Sequence, residues 1–401
     1  MQARTAEQLF AVLGELKGGA MKFGQALSIF ESALPEELAA PYRETLTRLQ
    51  DSAPPLPADR VHGVLTVELG VDWRDHFASF DDTPIAAASI GQVHRAIWSD
   101  GREVAVKIQY PGAGKALLGD LNQLSRVARM ATSWIPGIDI KPILEELRNR
   151  MSEELDYRIE AYYQETFAEG FEGDPDFLIP HVLAFSERIL VSEWVAGRAL
   201  SELIASGTQD ERDEAAGHYI EFLLAGPARV GLLHADPHPG NFKLLPDGRL
   251  AIVDFGACNR LPDGMPPDMG ELLTMAVAYD SEGVVDRLRE IGFVKSTIDL
   301  EADRLLEYLE PFIAPVRTRT FRFTRPWLRG VFAQINDPRR PTYTMALKLN
   351  LPPEYLLIHR VWIGGIGVLC QLGGTVRGPE AVNRYIPGAA LPEPANPDDE
   401  V

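Results

Sequence analysis

Leu9, Phe10, Leu13 and Leu16 recur at helical spacing, and Met21, Leu27 and Ile29 continue the apolar character, so 5–30 is expected to be helical. Pro35 opens a second helix over 35–50, and Pro54, Pro55 and Pro57 punctuate the chain. A helix over about 58–69 stops at Gly70. From 80 to 109 the pattern changes to strands. A first run over 85–96 turns at Ser99-Asp100-Gly101 into the β-branched run 103–109. Helices return over 113–134 and 141–169. After Pro180, 189–195 reads as a strand that ends in a linker at Gly197. Further helices are expected over 200–206 and 211–231, then near 268–292, 300–315 and 353–372. Strands grouped over 80–109, with helices before and after them, make the fold class α+β.

The candidate chemistry lies in the gap between the helices at 211–231 and 268–292. His234, Asp236 and Asn241 stand in an H-x-D-x-x-x-x-N spacing, and Asp254-Phe255-Gly256 follows. Between them an apolar run, Asp247-Gly248 and a second apolar run form a hairpin. That hairpin brings Asn241 and Asp254 to the same end of two paired strands. In protein kinases the Asp of such a loop accepts the hydroxyl proton, and the Asn and the D-F-G Asp hold Mg²⁺. Upstream, Lys107 ends a V-A-V-K run on a strand, where a kinase lysine grips the α- and β-phosphates. Glu193 and Val195 fall at the hinge, whose backbone meets adenine. Two blander readings compete. Asp236 and Asp254 could sit in ordinary turns. His234, Asp236 and His238 alternate like metal ligands, but Pro237 and Pro239 disfavour a regular strand there.

One feature departs from an ordinary kinase. The loop over the phosphates should be rich in Gly so that backbone N–H groups can approach closely. Here it reads Ala86-Ala87-Ala88-Ser89. The helical run 141–169 holds Glu145, Glu146, Glu153, Glu154 and Asp156, one of which should pair with Lys107. Glu154 is the expected partner, with Glu153 the alternative. From Ala257 to Leu273 there is no Ser, Thr or Tyr and no A-P-E, so a regulated activation segment is absent.

Composition narrows the classes. The 401 residues carry a net charge of −19, which disfavours nucleic acid as partner. Two cysteines, Cys258 and Cys370, give no disulfide framework and suit a reducing, cytoplasmic setting. No signal peptide is read at the start, and no apolar run near twenty residues is read as a membrane span. The stretch from Val361 to Leu369 is short and holds three Gly.

Taken together, the motifs resemble the UbiB/AarF family of atypical, protein-kinase-like ATPases. Lys22-Phe23-Gly24-Gln25 matches its K-x-G-Q motif, 86–89 its alanine-rich loop, Glu154-Leu155-Asp156 its E-x-D motif, and the catalytic loop and D-F-G complete the set. The resemblance spans about 5–375. It implies a bilobal protein-kinase-like fold, with a small β-rich N-lobe, a helical C-lobe and an N-terminal helical extension. The expected division is extension 1–79, N-lobe 80–196, C-lobe 197–385 and a disordered acidic tail 386–401. The implied cofactors are ATP (or ADP) and Mg²⁺. The implied sites are Lys107, Glu154 and Asp236 in catalysis and Asn241 and Asp254 on the metal. Ala86, Ala87, Ala88, Ser89, Glu193 and Val195 would line the nucleotide, with Lys22 and Gln25 gating the pocket. The family is linked to ubiquinone and other prenyl-lipid metabolism, and its alanine-rich loop alters nucleotide preference. Some bacterial members end in transmembrane helices, which this sequence is not read to contain.

The expected function is therefore an atypical kinase or ATPase acting on a small or lipid-like acceptor. The rivals are a nucleotide-binding scaffold without turnover and, third, a protein kinase. A last stretch concerns membranes. Arg317, Arg319, Arg322, Arg325 and Arg329 lie in an acid-free run with Phe321, Phe323 and Trp327 interleaved. It reads either as a peripheral dock on the anionic inner face of a membrane or as a basic patch with its aromatics in the core.

Overall fold

Strand β4 (Glu103–Gln109) sets the layout, because its residues alternate strictly. Val104, Val106 and Ile108 are fully buried, so Ala105 and Lys107 point to the opposite face. The computed structural model describes residues 55–88, 90–112, 114, 155–295 and 297–392. In chain order these give α1 (Ala58–Leu69), β1 (Phe77–Phe80), β2 (Ala86–Ala88), β3 (Gly91–Trp98) and β4. Next come α2 (Tyr157–Gly170), β5 (Phe177–Leu178), β6 (Val182–Phe185), β7 (Ile189–Glu193) and β8 (Arg198–Ala199). The upper sheet runs β1-β3-β4-β7-β6, with β2 folded back on β3, and every pairing is antiparallel.

The lower part follows with α3 (Leu200–Ser206), α4 (Gln209–Val230), β9 (Leu232–His234), β10 (Phe242–Leu244), β11 (Leu250–Ile252) and β12 (Cys258–Arg260). Then come α5 (Asp268–Val277), α6 (Ser281–Glu290), α7 (Ala302–Arg317), β13 (Phe321–Arg322), α8 (Arg325–Ile335) and α9 (Met345–Lys348). The last are α10 (Pro353–Leu372), β14 (Thr375–Val376) and α11 (Gly378–Tyr385). Helix α4 is the spine of this lobe. A Thr208–Glu211 capping box starts it, Gly231 in the left-handed region (φ 66°) ends it, and Tyr219, Phe222 and Leu223 are buried along it. The result is a sheet-rich lobe above a helical one, the α+β class expected.

Several expectations change. The upper lobe does not begin at 80. Val61, Val64, Leu65, Trp73 and Phe77 share one core with Val104, Val106, Ile108, Ile189 and Val191. Leu56 also packs there, and its N–H donates to Gln92 at 2.8 Å. The helix expected over 268–292 is two, α5 and α6. Tyr279 takes a positive φ of 61°, and the Asp280 carboxylate caps α6 by accepting the Gly283 N–H. The tail is not disordered from 386. Ile386 and Leu391 are buried, and Leu391 exchanges two hydrogen bonds with the Asn383 amide. Residues 393–401 lie outside the described residues.

Helix α10 also departs from the reading. Its window Glu354–Leu372 has a mean hydropathy of 1.4 and is long and apolar enough to cross a membrane. Leu356, Leu357, Ile358, Cys370 and Leu372 extend the apolar character beyond the short run counted in sequence. More than half of the window (56%) is buried inside the protein, as in a core helix. In the arginine stripe, Arg319 and Arg322 are exposed and Arg317, Arg325 and Arg329 are half-buried. Phe321, Phe323 and Trp327 pack edge to face on one another, and Phe323 is buried. Arg317 pairs with Glu310 and lies on the Tyr279 ring, and Arg322 donates to Gln209 and to the Gly373 carbonyl. The aromatics pack against the lower core, as the reading of a basic patch with its aromatics in the core expects.

Candidate active site

Lys107 leaves β4 on the face away from the upper core and meets α2. Its Nζ donates to both carboxylate oxygens of Glu160, at 2.7 and 2.8 Å, and lies 3.2 Å from Asp254. The ammonium also faces the Tyr157 ring at 5.1 Å. Glu160 is 4% exposed and is presented by a buried stripe of α2 comprising Tyr157, Ala161, Gln164, Phe167 and Ala168. Burial alone would pull the Lys107 pKa down, but the Asp254 and Glu160 carboxylates outweigh it and hold the ammonium well above its ordinary range. Burial pushes the Glu160 carboxyl up, Lys107 opposes that, and Asp254 adds to it.

Among the described residues the helix acid that meets Lys107 is Glu160, not one of the acids expected from sequence. Glu153 and Glu154 lie outside the described residues, and Asp156 of the E-x-D motif is the N-cap of α2, accepting the Arg158 N–H at 3.0 Å. The motif thus starts the helix, and the acid that reaches Lys107 is one turn further along.

The catalytic loop is held from below. His234 on β9 is buried and donates Nε2–H to the Asp254 carbonyl at 2.7 Å. Phe255 is fully buried, 5.0 Å from Phe167 on α2 and 5.5 Å from His234 by ring centroids. This stack ties the D-F-G to α2 and to β9 at once. Asp254 uses one oxygen to accept the Gly256 N–H at 3.0 Å and turns the other toward Lys107. The Asn241 amide donates to the Asp236 carbonyl at 3.3 Å, and the Asn241 carbonyl accepts the Val253 N–H at 2.9 Å. The hairpin β10–β11, turned at Gly248 (φ 90°), puts these two residues at one end, as its Asp-Gly suggested. The Tyr219 hydroxyl fastens the loop through the Pro237 carbonyl at 2.7 Å.

The donor set suits Mg²⁺. Asp254 and Asn241 offer hard oxygens, and Mg²⁺ takes few protein ligands alongside phosphates and water. Among the described residues no group of three His, Cys, Asp or Glu side chains could hold a metal. The alternating histidines are likewise committed, His234 to Asp254 and His238 Nδ1 to the Gly240 N–H.

Over the site, Ala86, Ala87 and Ala88 form β2, paired with Gly91, Gln92 and Val93. A Cβ on Gly91 would fall 2.3 Å from the Ile108 carbonyl, so only glycine fits there. Gln92 and His94, on β3, are buried and structural. His94 accepts from Gln92 and donates to the Asp81 carbonyl, both at 2.8 Å. Glu193 ends β7 and Val195 follows in the linker. Ser89, Lys22 and Gln25 lie outside the described residues.

Helix α2 is strutted to the sheet by His181. Its Nδ1 meets Glu165 at 2.9 Å and its Nε2 meets Glu172 at 2.8 Å, while Glu165 also accepts the Val182 N–H. Those two carboxylates raise the His181 pKa above 6.5. A raised histidine contributes its stability in full below the unfolded pKa and loses it as pH rises through the folded one. The wild type should therefore lose melting temperature from about pH 6 to 8 relative to His181→Gln. Because the pair is partly exposed, the difference should not exceed about 2 °C. An NMR titration of His181 with a midpoint below 6.5 would contradict the assignment.

A strand lysine paired with a helix glutamate, above a loop holding Asp and Asn and a D-F-G, defines a protein-kinase-like fold. Within that class, the chain belongs to the family of the ABC1 atypical kinase-like domain, which matches residues 48–288. It is 32% identical over 403 residues to the probable serine/threonine-protein kinase abkA of Dictyostelium discoideum, covering 95% of this chain and 70% of that one. It is 30% identical to the mitochondrial atypical kinase COQ8 of Saccharomyces cerevisiae, covering 90% and 72%. Against the zebrafish (Danio rerio) mitochondrial atypical kinase COQ8B it is 30% identical and spans 46% of that relative's length. Among solved structures it resembles Rv3197 of Mycobacterium tuberculosis, reported as a complex with erythromycin. That match has 43% identity, a TM-score of 0.77 and 98% coverage of both chains.

Proposed function

We propose that this protein binds Mg²⁺-ATP and hydrolyses it or transfers its phosphoryl group to a small or lipid-like acceptor, in support of prenyl-lipid metabolism. One observation carries the reading: the buried Lys107–Glu160 pair with Asp254 at 3.2 Å, facing a loop that holds Asp236 and Asn241. A bound Mg²⁺-nucleotide would bring the transferable phosphoryl group and the bridging positive charge. Lys107 supplies N–H donors for phosphate oxygens, and Glu160 keeps that ammonium aimed. Asp254 and Asn241 hold the metal. Asp236 orients the attacking hydroxyl or water and accepts its proton. The β2 methyls would narrow the space over bound phosphates, where other kinases bring backbone N–H groups close.

The test is ATP turnover by the purified chain, wild type beside Asp254→Asn, with and without lipid extract. Asp254→Asn should lower turnover by about two orders of magnitude, the scale of losing one preorganised electrostatic contact. It should also remove the Mg²⁺-ATP thermal shift while leaving the fold intact. Equal turnover and equal shift in the two proteins would remove the metal role. A second reading draws on the Rv3197 structure: binding of a macrolide by this chain, which erythromycin in the same thermal-shift series tests directly.

A further inference from the structure

Strand β10 carries a basic residue where its neighbours are apolar. Phe242 and Leu244 point into the lower core, so Lys243 between them points the opposite way, toward the linker that joins the lobes. That linker comes very close. A Cβ on Gly197 would lie 2.9 Å from the Leu244 carbonyl and 3.2 Å from the Lys243 Cβ. Lys243 uses the approach: its Nζ donates to the Val195 carbonyl at 3.1 Å and lies 5.0 Å from the Trp194 ring centroid. Arg95 faces the same ring at 5.1 Å. The Trp194 backbone N–H goes to the Glu103 carbonyl, on the sheet side. The Val195 side chain is buried with Leu245 and Ala251. Its carbonyl is therefore the linker group that meets Lys243, two residues beyond Asn241 on the same segment.

Resting on the nucleotide reading above, we propose that Lys243 is a specificity-determining residue for the base. A linker carbonyl left open would accept an exocyclic amine, as adenine carries. Here the ammonium takes that acceptor and presents its remaining N–H groups to the incoming ring. A ring edge with a carbonyl oxygen finds a donor, whereas an amine meets donor against donor. The site is thus set to admit purine nucleotides with a keto group, inosine and guanosine triphosphates, alongside ATP. Discrimination by a single hydrogen-bonding group at a buried site is large, because the wrong ligand leaves polar groups unpaired.

The experiment measures Mg²⁺-dependent binding of ATP, ITP and GTP to the full-length chain by calorimetry, for wild type, Lys243→Met and Lys243→Arg. Methionine keeps the length and removes the donors; arginine keeps donors. The ITP-to-ATP affinity ratio should fall about tenfold in Lys243→Met, the scale of one hydrogen bond to a charged group. It should stay near the wild-type value in Lys243→Arg. A ratio unchanged in Lys243→Met, with Mg²⁺-dependent binding intact, overturns this proposal and leaves the nucleotide reading standing. No Mg²⁺-dependent binding of any of the three by wild type overturns both.

Discussion

Glu160→Gln is expected to weaken Mg²⁺-dependent nucleotide binding by at least about tenfold, while Glu154→Gln leaves it unchanged. The glutamine is nearly isosteric, so the pocket keeps its shape. What changes is the charge around Lys107. In the wild type the ammonium is shared between Glu160 at 2.7 Å and Asp254 at 3.2 Å. With Glu160 neutral, Asp254 becomes the sole close carboxylate among the described residues, and the ammonium is drawn onto the oxygen that a metal needs. The substitution also leaves a buried ammonium short of a partner, at a cost of about 1–3 kcal/mol in stability. Nucleotide titration of both variants reads the affinity, and thermal melting reads the stability. Loss of binding in Glu154→Gln with Glu160→Gln unaffected would restore the sequence-based assignment.

Glu160 was hard to read from sequence for a physical reason. Glu154 lies in a matching E-x-D string, whereas Glu160 is marked only by its place on an apolar stripe: Tyr157, Glu160, Ala161, Gln164 and Phe167 fall on one helical face. An acid on such a face has to be paired when buried, and that was the available signal. Lys243 left a similar trace, a lysine between two apolar strand residues, but its partner is a backbone carbonyl from 48 residues away, which no local pattern encodes. Local chemistry was legible. The helix expected at 200–206 and the one at 353–372 match α3 and α10, and the Asp-Gly turn forms the hairpin. Boundaries set by tertiary packing were not. Trp73 and Phe77 belong to the upper core because the sheet needs a cover, and Ile386 and Leu391 are held by the lower one despite a Pro-rich, acidic context.

Phe255→Ala is expected to destabilise the protein by about 3–5 kcal/mol and to depress turnover beyond the loss of folded protein. Phe255 is fully buried among Phe167, His234 and the lower core, so truncation leaves a cavity at the junction of α2, β9 and the D-F-G. The same ring fixes where Asp254 sits, because the two are adjacent and His234 holds the Asp254 carbonyl. A cavity there loosens the register between α2, which carries Glu160, and the strand end that carries Asp254. Turnover per folded molecule, measured well below the melting temperature, should therefore fall while substrate affinity falls less. Phe255→Leu refills much of the space and should recover most of the stability. If Phe255→Ala melts lower but keeps full turnover per folded molecule, the stack is packing only and does not position the site.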